Sequence, residues 1–98
     1  MTITATVNEK IGTLSIEGRI DTVTAPQLEQ TFADYAQSCD KIIFDLSDTD
    51  YISSAGLRVI LIAHREMQKK GGLVLRNLSK NVESVITLTG FDRIVCIE

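Results

Sequence analysis

The sequence has few of the residues that build disulfide frameworks or metal sites. Its 98 residues include two cysteines and one histidine. Cys39 and Cys96 match neither a CxxC redox pair nor a zinc pattern, so we expect both to be small, buried hydrophobic residues in a reducing compartment. His64 has no second histidine or cysteine at metal-ligand spacing, and a lone helical histidine is more often a packing or surface residue than a ligand.

Long apolar runs and phosphate-binding loops are also missing. No apolar run approaches the ~20 residues of a membrane span. The N-terminus alternates threonine with apolar residues and has no charged and then apolar signal region. We therefore expect a cytoplasmic protein without direct membrane insertion. The chain has no Walker-type loop, no glycine-rich phosphate cradle and no metal-ligand cluster, so we expect neither a cofactor nor a metal.

The net charge of −3 at pH 7 arises in one short segment. Four acids, namely Asp40, Asp45, Asp48 and Asp50, lie close together there with a single base, Lys41. Acids and bases are equal in number over the rest of the chain. No basic stripe appears, which argues against nucleic acid and against an anionic membrane surface as partners.

The first quarter of the chain predicts a hairpin followed by a helix. Apolar residues alternate with polar ones over 2–7 and again over 13–17, which is typical of an N-terminal β-hairpin. A first helix is expected after Thr24, with this threonine as N-cap, because a proline and then a glutamine follow it. We see no linker, so residues 1–98 are expected to form one domain.

Short apolar runs alternate with helical segments in the rest of the chain. The runs 42–44 and 73–75 predict strands covered on both faces, and 94–97 predicts a last strand. One helix between them is opened by two serines and stopped by two glycines, and another is capped by Ser79. The order ββαβαβαβ predicts an α/β fold with a mixed, mostly parallel sheet of four to five strands, an N-terminal β-hairpin and three to four helices.

The two adjacent serines at the start of the second helix are the most informative feature. They follow a predicted buried strand and an acidic loop that contains Asp48 and Asp50. If Ser53 is the N-cap, Ser54 occupies the first helical position, with its hydroxyl at the positive end of the helix dipole. A phosphate there would meet favourable helix-end donors and unfavourable neighbouring carboxylates, so the segment has the features of a switch.

Other residues of this segment allow two interpretations each. Arg58 lies one turn above Ser54 on the same face, where it either reaches a phosphate or is an ordinary solvated arginine. Ala55 and Gly56 either keep the helix start open for a partner or pack closely against the sheet. The spacing of the aspartates resembles a cation loop only superficially, because the glycine and glutamate of a calcium loop are missing.

The same residues resemble a known family. Asp45-Leu46-Ser47, the segment Ile52 to Arg58, and the preceding Gly18-Arg19-Ile20-Asp21 are similar to a STAS domain of the bacterial anti-sigma factor antagonist type. The resemblance covers essentially the whole chain. It implies the STAS fold and a regulatory binding protein that is not an enzyme.

The resemblance also implies which residues carry the function. Members of this type have a phosphorylatable serine at the start of the second helix, which matches Ser54, with Ser53 as the second choice. Ser53 stands where several members have aspartate. Asp21 matches an acidic residue close to that serine in the family. The further candidates for partner contact near the phosphosite are Thr22, Asp48, Asp50, Ser53, Ala55, Gly56 and Arg58.

The function implied by the resemblance is partner switching. The unphosphorylated domain binds an anti-sigma factor that is also a serine kinase, and so frees the sigma factor. Phosphorylation with ATP and Mg²⁺ releases the domain, and a serine phosphatase restores it. Two alternatives within the fold stay open: a STAS subunit that docks on a transporter complex, and a sensor of a nucleotide or small molecule. An enzyme built on Ser54 ranks last, because the nearest histidine, His64, lies about 15 Å along the helix axis.

Overall fold

A computed structural model describes all 98 residues. It contains one mixed sheet, three α-helices and a short 3-10 turn at Phe91–Arg93. The strands are β1 Thr2–Asn8, β2 Ile11–Ile20, β3 Lys41–Asp45, β4 Thr49–Ile52, β5 Leu73–Arg76 and β6 Cys96–Ile97. The helices are α1 Ala25–Ala36, α2 Ser54–Met67 and α3 Lys80–Leu88.

The sheet has the order β1-β2-β3-β5-β6, and β4 pairs with β2 further along that strand. Only β1 and β2 are antiparallel, whereas every other pair is parallel. Glu9 and Lys10 connect β1 to β2, and both have positive φ angles, 52° and 65°. Two such residues form the type I′ turn that matches the twist of a β-hairpin. The α/β fold with an N-terminal hairpin is therefore confirmed.

The core lies between the sheet and the helices. It is one cluster of 21 buried residues, to which every helix contributes. Phe32 of α1 meets Phe44 of β3 edge to face, with the ring centroids 6.1 Å apart, an arrangement that aromatic pairs prefer. Leu14 and Ile16 of β2 are buried, while Ser15 between them is exposed, so alternate residues of this strand face the helices.

The structure has one strand more than predicted, because the expected acidic loop contains β4. Both ends of this strand, Thr49 and Ile52, are buried. The Thr49 hydroxyl donates to the carbonyl oxygen of Ile16 at 2.7 Å. A register shift next to Gly18, whose φ is 105°, lets β2 turn from β3 to β4. The sheet therefore has six strands instead of four to five.

Thr24 stands at the N-cap position of α1 as predicted, but its side chain does not cap the helix, whereas the serine caps of α2 and α3 are confirmed. Thr24 has helical backbone angles, and its side chain accepts no bond from α1. Its hydroxyl instead donates to the carbonyl oxygen of Arg19 at 2.7 Å. Ser53 and Ser79 each accept a backbone N–H of the first turn, at 3.4 Å, as serine caps do.

The two cysteines have different environments. Cys39 is buried as expected, but Cys96 is exposed, and the prediction of a second buried thiol is wrong. The last strand, predicted over 94–97, is only the two-residue β6 at the edge of the sheet. Because β6 has a neighbouring strand on one side only, both of its residues stay exposed. None of the helices has the length and apolar character that crossing a membrane requires.

Candidate functional site

The candidate site forms where β2 and β4 end side by side. Ile20 and Ile52 are paired at the ends of these parallel strands. The backbone N–H of Ser53 donates to the carbonyl oxygen of Ile20 at 2.9 Å. Because parallel strands end at the same edge of a sheet, the loop that begins at Asp21 lies beside the start of α2. This pairing brings together two segments that are about thirty residues apart in the sequence.

The two serines have separate roles at the start of α2. Ser53 is the N-cap, and its hydroxyl accepts the N–H of Gly56. Ser54 is the first helical residue, is exposed, and its hydroxyl makes no hydrogen bond within the chain. The first N–H groups of a helix have no intrahelical partners and carry the positive end of the dipole. A free hydroxyl therefore stands at a position that favours an anion.

Arg58 is exposed one turn above Ser54 and forms no ion pair. Its guanidinium is therefore free to interact with an added negative charge on the same face of α2.

Asp21 is held in place by its own loop. Its Oδ1 accepts the backbone N–H groups of Val23 at 3.0 Å and Thr24 at 3.1 Å, and its Oδ2 lies 3.7 Å from Nε of Arg19. The hydrogen bond from the Thr24 N–H is the main cause that lowers the pKa of Asp21 below its ordinary value, and partial desolvation opposes it. The carboxylate is therefore ionised at neutral pH.

Three residues that were not predicted as site residues, Arg19, Tyr51 and Val23, lie next to this surface. The Arg19 guanidinium lies 4.3 Å from the centre of the Tyr51 ring, a cation–π distance, and Tyr51 is 39% exposed. Val23 is 85% exposed, beside Thr22, which is also exposed. A single exposed apolar side chain is ordinary on a protein surface, so Val23 by itself does not mark a binding site. Arg19 belongs to the Gly-Arg-Ile-Asp motif, but Val23 has no comparable signal in the sequence.

Gly56 is buried and packs closely against the sheet. A Cβ at this position would lie 2.6 Å from Cγ1 of Ile52 and 2.7 Å from Cγ2 of Ile20. Real Cβ contacts are essentially never this short. Ala55 is half-buried and also packs against the core. The interpretation of Gly56 as an accessible contact for a partner is therefore wrong: it lets the start of α2 approach β2 and β4.

The two acids of the predicted loop, Asp48 and Asp50, lie before β4 and on β4. Asp48 precedes β4 and Ser53 follows it, so these residues lie about 16 Å apart along an extended chain. Asp48 lines a polar groove with Thr2 and Thr4 of β1. Asp50 is exposed on β4 itself. No group of three or more histidine, cysteine or acidic side chains is arranged to hold a metal ion. Among the candidate carboxylates, the strand register brings Asp21 to the end of β4.

The family of the chain follows from a comparison with known protein families. Residues 2–98 match the family model of the STAS domain. The chain is a STAS domain. This confirms the resemblance drawn from the serine motif and the Gly-Arg-Ile-Asp segment.

Several similar proteins are named as anti-sigma factor antagonists. The anti-sigma-B factor antagonist of Bacillus subtilis is 32% identical over 91 residues, which are 92% of this chain and 84% of that protein. BtrV of Bordetella bronchiseptica, named as a candidate anti-sigma factor antagonist, is 40% identical over 81 residues, 78% of this chain and 67% of that protein. A crystal structure of an anti-sigma factor antagonist from Mycobacterium paratuberculosis matches with a TM-score of 0.89 at 28% identity, covering 98% of this chain and 83% of that one.

Proposed function

We propose that this STAS domain is an anti-sigma factor antagonist whose binding is controlled by phosphorylation of Ser54. In its unphosphorylated form it binds an anti-sigma factor that is also a serine kinase, in the cytoplasm, and so frees a sigma factor. Phosphorylation releases the domain, and a serine phosphatase reverses the change. The domain acts as ligand and substrate, not as an enzyme. The names of its relatives support the class of function.

The observation that carries the proposal is the free hydroxyl of Ser54. A kinase needs an exposed acceptor, and Ser54 is exposed and makes no hydrogen bond within the chain. The neighbouring Ser53 is less suited, because its hydroxyl already caps α2. A phosphoryl group transferred to Ser54 therefore leaves the cap intact, so the domain is expected to stay folded in both states.

Electrostatics explain how a phosphate changes the surface of the domain. It adds a charge of about −2 at the start of α2, near the ionised carboxylate of Asp21. Within the domain, the helix N-terminus and Arg58 offset part of this charge. A partner carboxylate ~6 Å away would be repelled by about 1.4 kcal/mol even at the dielectric constant of water, which is about tenfold in affinity. A more complete release requires several partner carboxylates or steric exclusion.

The direct test is intact-mass measurement after incubation with candidate anti-sigma factor kinases, ATP and Mg²⁺. The wild-type domain and Ser53→Ala are expected to gain one phosphate, and Ser54→Ala none. Peptide mapping then assigns the modified residue, and a known antagonist of each kinase controls for its activity. A phosphate on Ser54→Ala, or none on the wild type with all active kinases, contradicts the proposal.

A further inference from the structure

The outer edge of β1 is unprotected. The strand lies at the end of the sheet and pairs only with β2. The chain has 10 basic and 13 acidic side chains, but none of them lies between residues 2 and 8, and this segment contains neither proline nor glycine. Proteins usually protect an edge strand with charges, prolines or bulges, because its free backbone groups can pair with another strand.

The hairpin turn determines which backbone groups are free. The residues that flank a two-residue type I′ turn form a hydrogen-bonded pair, and such pairs alternate along the ladder. Asn8 and Ile11 flank the turn. The threonines of β1 are therefore bonded to β2, whereas the N–H and C=O groups of Ile3, Ala5 and Val7 point outward.

Hydrogen bonds on the other side of β2 support this assignment of bonded and free residues. The carbonyl oxygen of Lys10 accepts the N–H of Asp40 at 2.8 Å, and the N–H of Gly18 donates to Asp48 at 3.0 Å. The even-numbered residues at both ends of β2 thus turn away from β1, which leaves the odd-numbered residues to bond it.

The residues with free backbone groups also carry the apolar side chains of the strand. Ile3 and Ala5 are half-buried and pack at the margin of the core. Val7 is 52% exposed. Alternate strand residues point to opposite faces of a sheet, so these three side chains share one face. A second strand laid along this edge would extend both the ladder and the apolar face.

We infer that β1 pairs antiparallel with β1 of a second copy of this chain, about a two-fold axis at Ala5. In this register Ala5 faces its own copy and Ile3 faces Val7, so the three outward residues of each strand exchange six backbone hydrogen bonds. The segment is self-complementary, because its apolar residues are placed symmetrically about Ala5. A two-fold interface requires this self-complementarity.

The β1 edge is the part of the surface where like charges oppose a second copy least. Each copy has a net charge of −3, with the excess acids on the segment from Asp40 to Asp50. The strand itself carries no charged side chain, and the charges of Glu9 and Lys10 in its turn are opposite in sign. The contact consists of one short strand per copy, so we expect a small and reversible interface. It does not depend on the role proposed for Ser54.

Sedimentation over a concentration series of the full chain tests the inference. We expect a monomer–dimer equilibrium, which Val7→Lys shifts toward the monomer by ~tenfold or more in Kd, because it places a charge against Ile3 of the other copy. Ile11→Lys is the matched control: Ile11 is 38% exposed on the same hairpin, but β2 already has neighbours on both sides. A wild type that stays monomeric up to ~1 mM, or equal effects of the two variants, overturns the inference.

Crosslinking tests the register without a charge change. In a Cys96→Ser background, which removes the exposed thiol, Ala5→Cys places two cysteines opposite each other across the axis. A short bis-maleimide is expected to join the two copies, seen as a dimer on a denaturing gel. Ser15→Cys is the control, because Ser15 is exposed on β2 and lies three strand spacings, at least ~14 Å, from Ser15 of the other copy. Absence of the Ala5→Cys dimer, or equal crosslinking of both variants, overturns the inference.

Discussion

Helices α1 and α2 both begin where a parallel strand ends, but the hydroxyl groups at their starts have different surroundings. At α1 the hydroxyl of Thr24 forms hydrogen bonds with Asp21 and with the carbonyl oxygen of Arg19. At α2 two serines divide the roles: Ser53 caps the helix and Ser54 is free. The Thr24 hydroxyl is occupied by bonds to its own loop, whereas the Ser54 hydroxyl is free because the neighbouring Ser53 provides the cap. The two serines provide this arrangement, and the single threonine does not.

The largest effect is expected on partner binding. Ser54→Asp should weaken binding to the kinase that modifies the domain by about threefold for each partner carboxylate ~6 Å away, because aspartate carries about half the charge of a phosphate. Ser54→Ala should bind constitutively. Isothermal titration calorimetry gives the two dissociation constants. Thr24→Ala is the control at the other helix start and should leave binding to the kinase nearly unchanged. Equal affinity of both Ser54 variants would refute the switch.

The next effect concerns the close packing under the start of α2. Alanine normally stabilises a helix over glycine by ~1 kcal/mol. At Gly56 the added methyl overlaps Ile20 and Ile52, so we expect Gly56→Ala to destabilise the domain by about 1–3 kcal/mol. Urea unfolding measures the change, with Ser54→Ala in the same turn as the control. A gain in the free energy of unfolding would show that α2 is free to move away from the sheet.

A smaller effect separates the two serines. Ser53→Ala removes the cap of α2 and should lower the free energy of unfolding by ~0.5–2 kcal/mol. Ser54→Ala removes no hydrogen bond within the chain, and alanine is a good helix former, so no loss is expected. Thermal unfolding of both variants in one buffer measures the difference. Similar losses would mean that the hydroxyls exchange roles, and that Ser54 is not free.

The smallest effect is the pH dependence at Asp21. Its pKa is lowered in the folded state, chiefly by the Thr24 N–H. The stabilisation is therefore present above the unfolded-state pKa, near 4, and is lost as pH falls through the lower folded-state value. Asp21→Asn should be less stable than the wild type at pH 7, and the difference should shrink below about pH 4. A difference that stays constant with pH would assign the effect of the variant to something other than this charge.

Sequence predictions that depend on residues close together in the chain were correct more often than those that depend on contacts made only in the folded structure. The hairpin and the cap at Ser53 were predicted correctly, because alternation and capping depend on neighbours within a few residues. Thr24 had an equally good local pattern, but Asp21 and Arg19 engage its hydroxyl in the folded loop. The exposure of Cys96 was missed for a related reason, since an apolar run does not reveal that its strand lies at the edge of the sheet.

The candidate site shows the same division. The local sequence was enough to predict that Ser54 lies at the start of a helix and that the segment resembles the STAS family. The structure was needed to find β4, because Thr49 and Ile52 become strand residues by pairing with β2 beyond the register shift at Gly18. That strand moves Asp48 away from the serines and leaves Asp21 beside them.

By itself, the sequence determined the hairpin and the three helices of this protein, the position of the hydroxyl at the start of α2 and the uncharged character of β1. These are properties of the local chain, since helix caps, turns and alternation are set by neighbouring residues. Only the tertiary structure decided which charges share a surface with Ser54 and which strand edge stays free. Both depend on pairing between residues far apart in sequence, and a shift of one residue in that pairing would reverse the outcome.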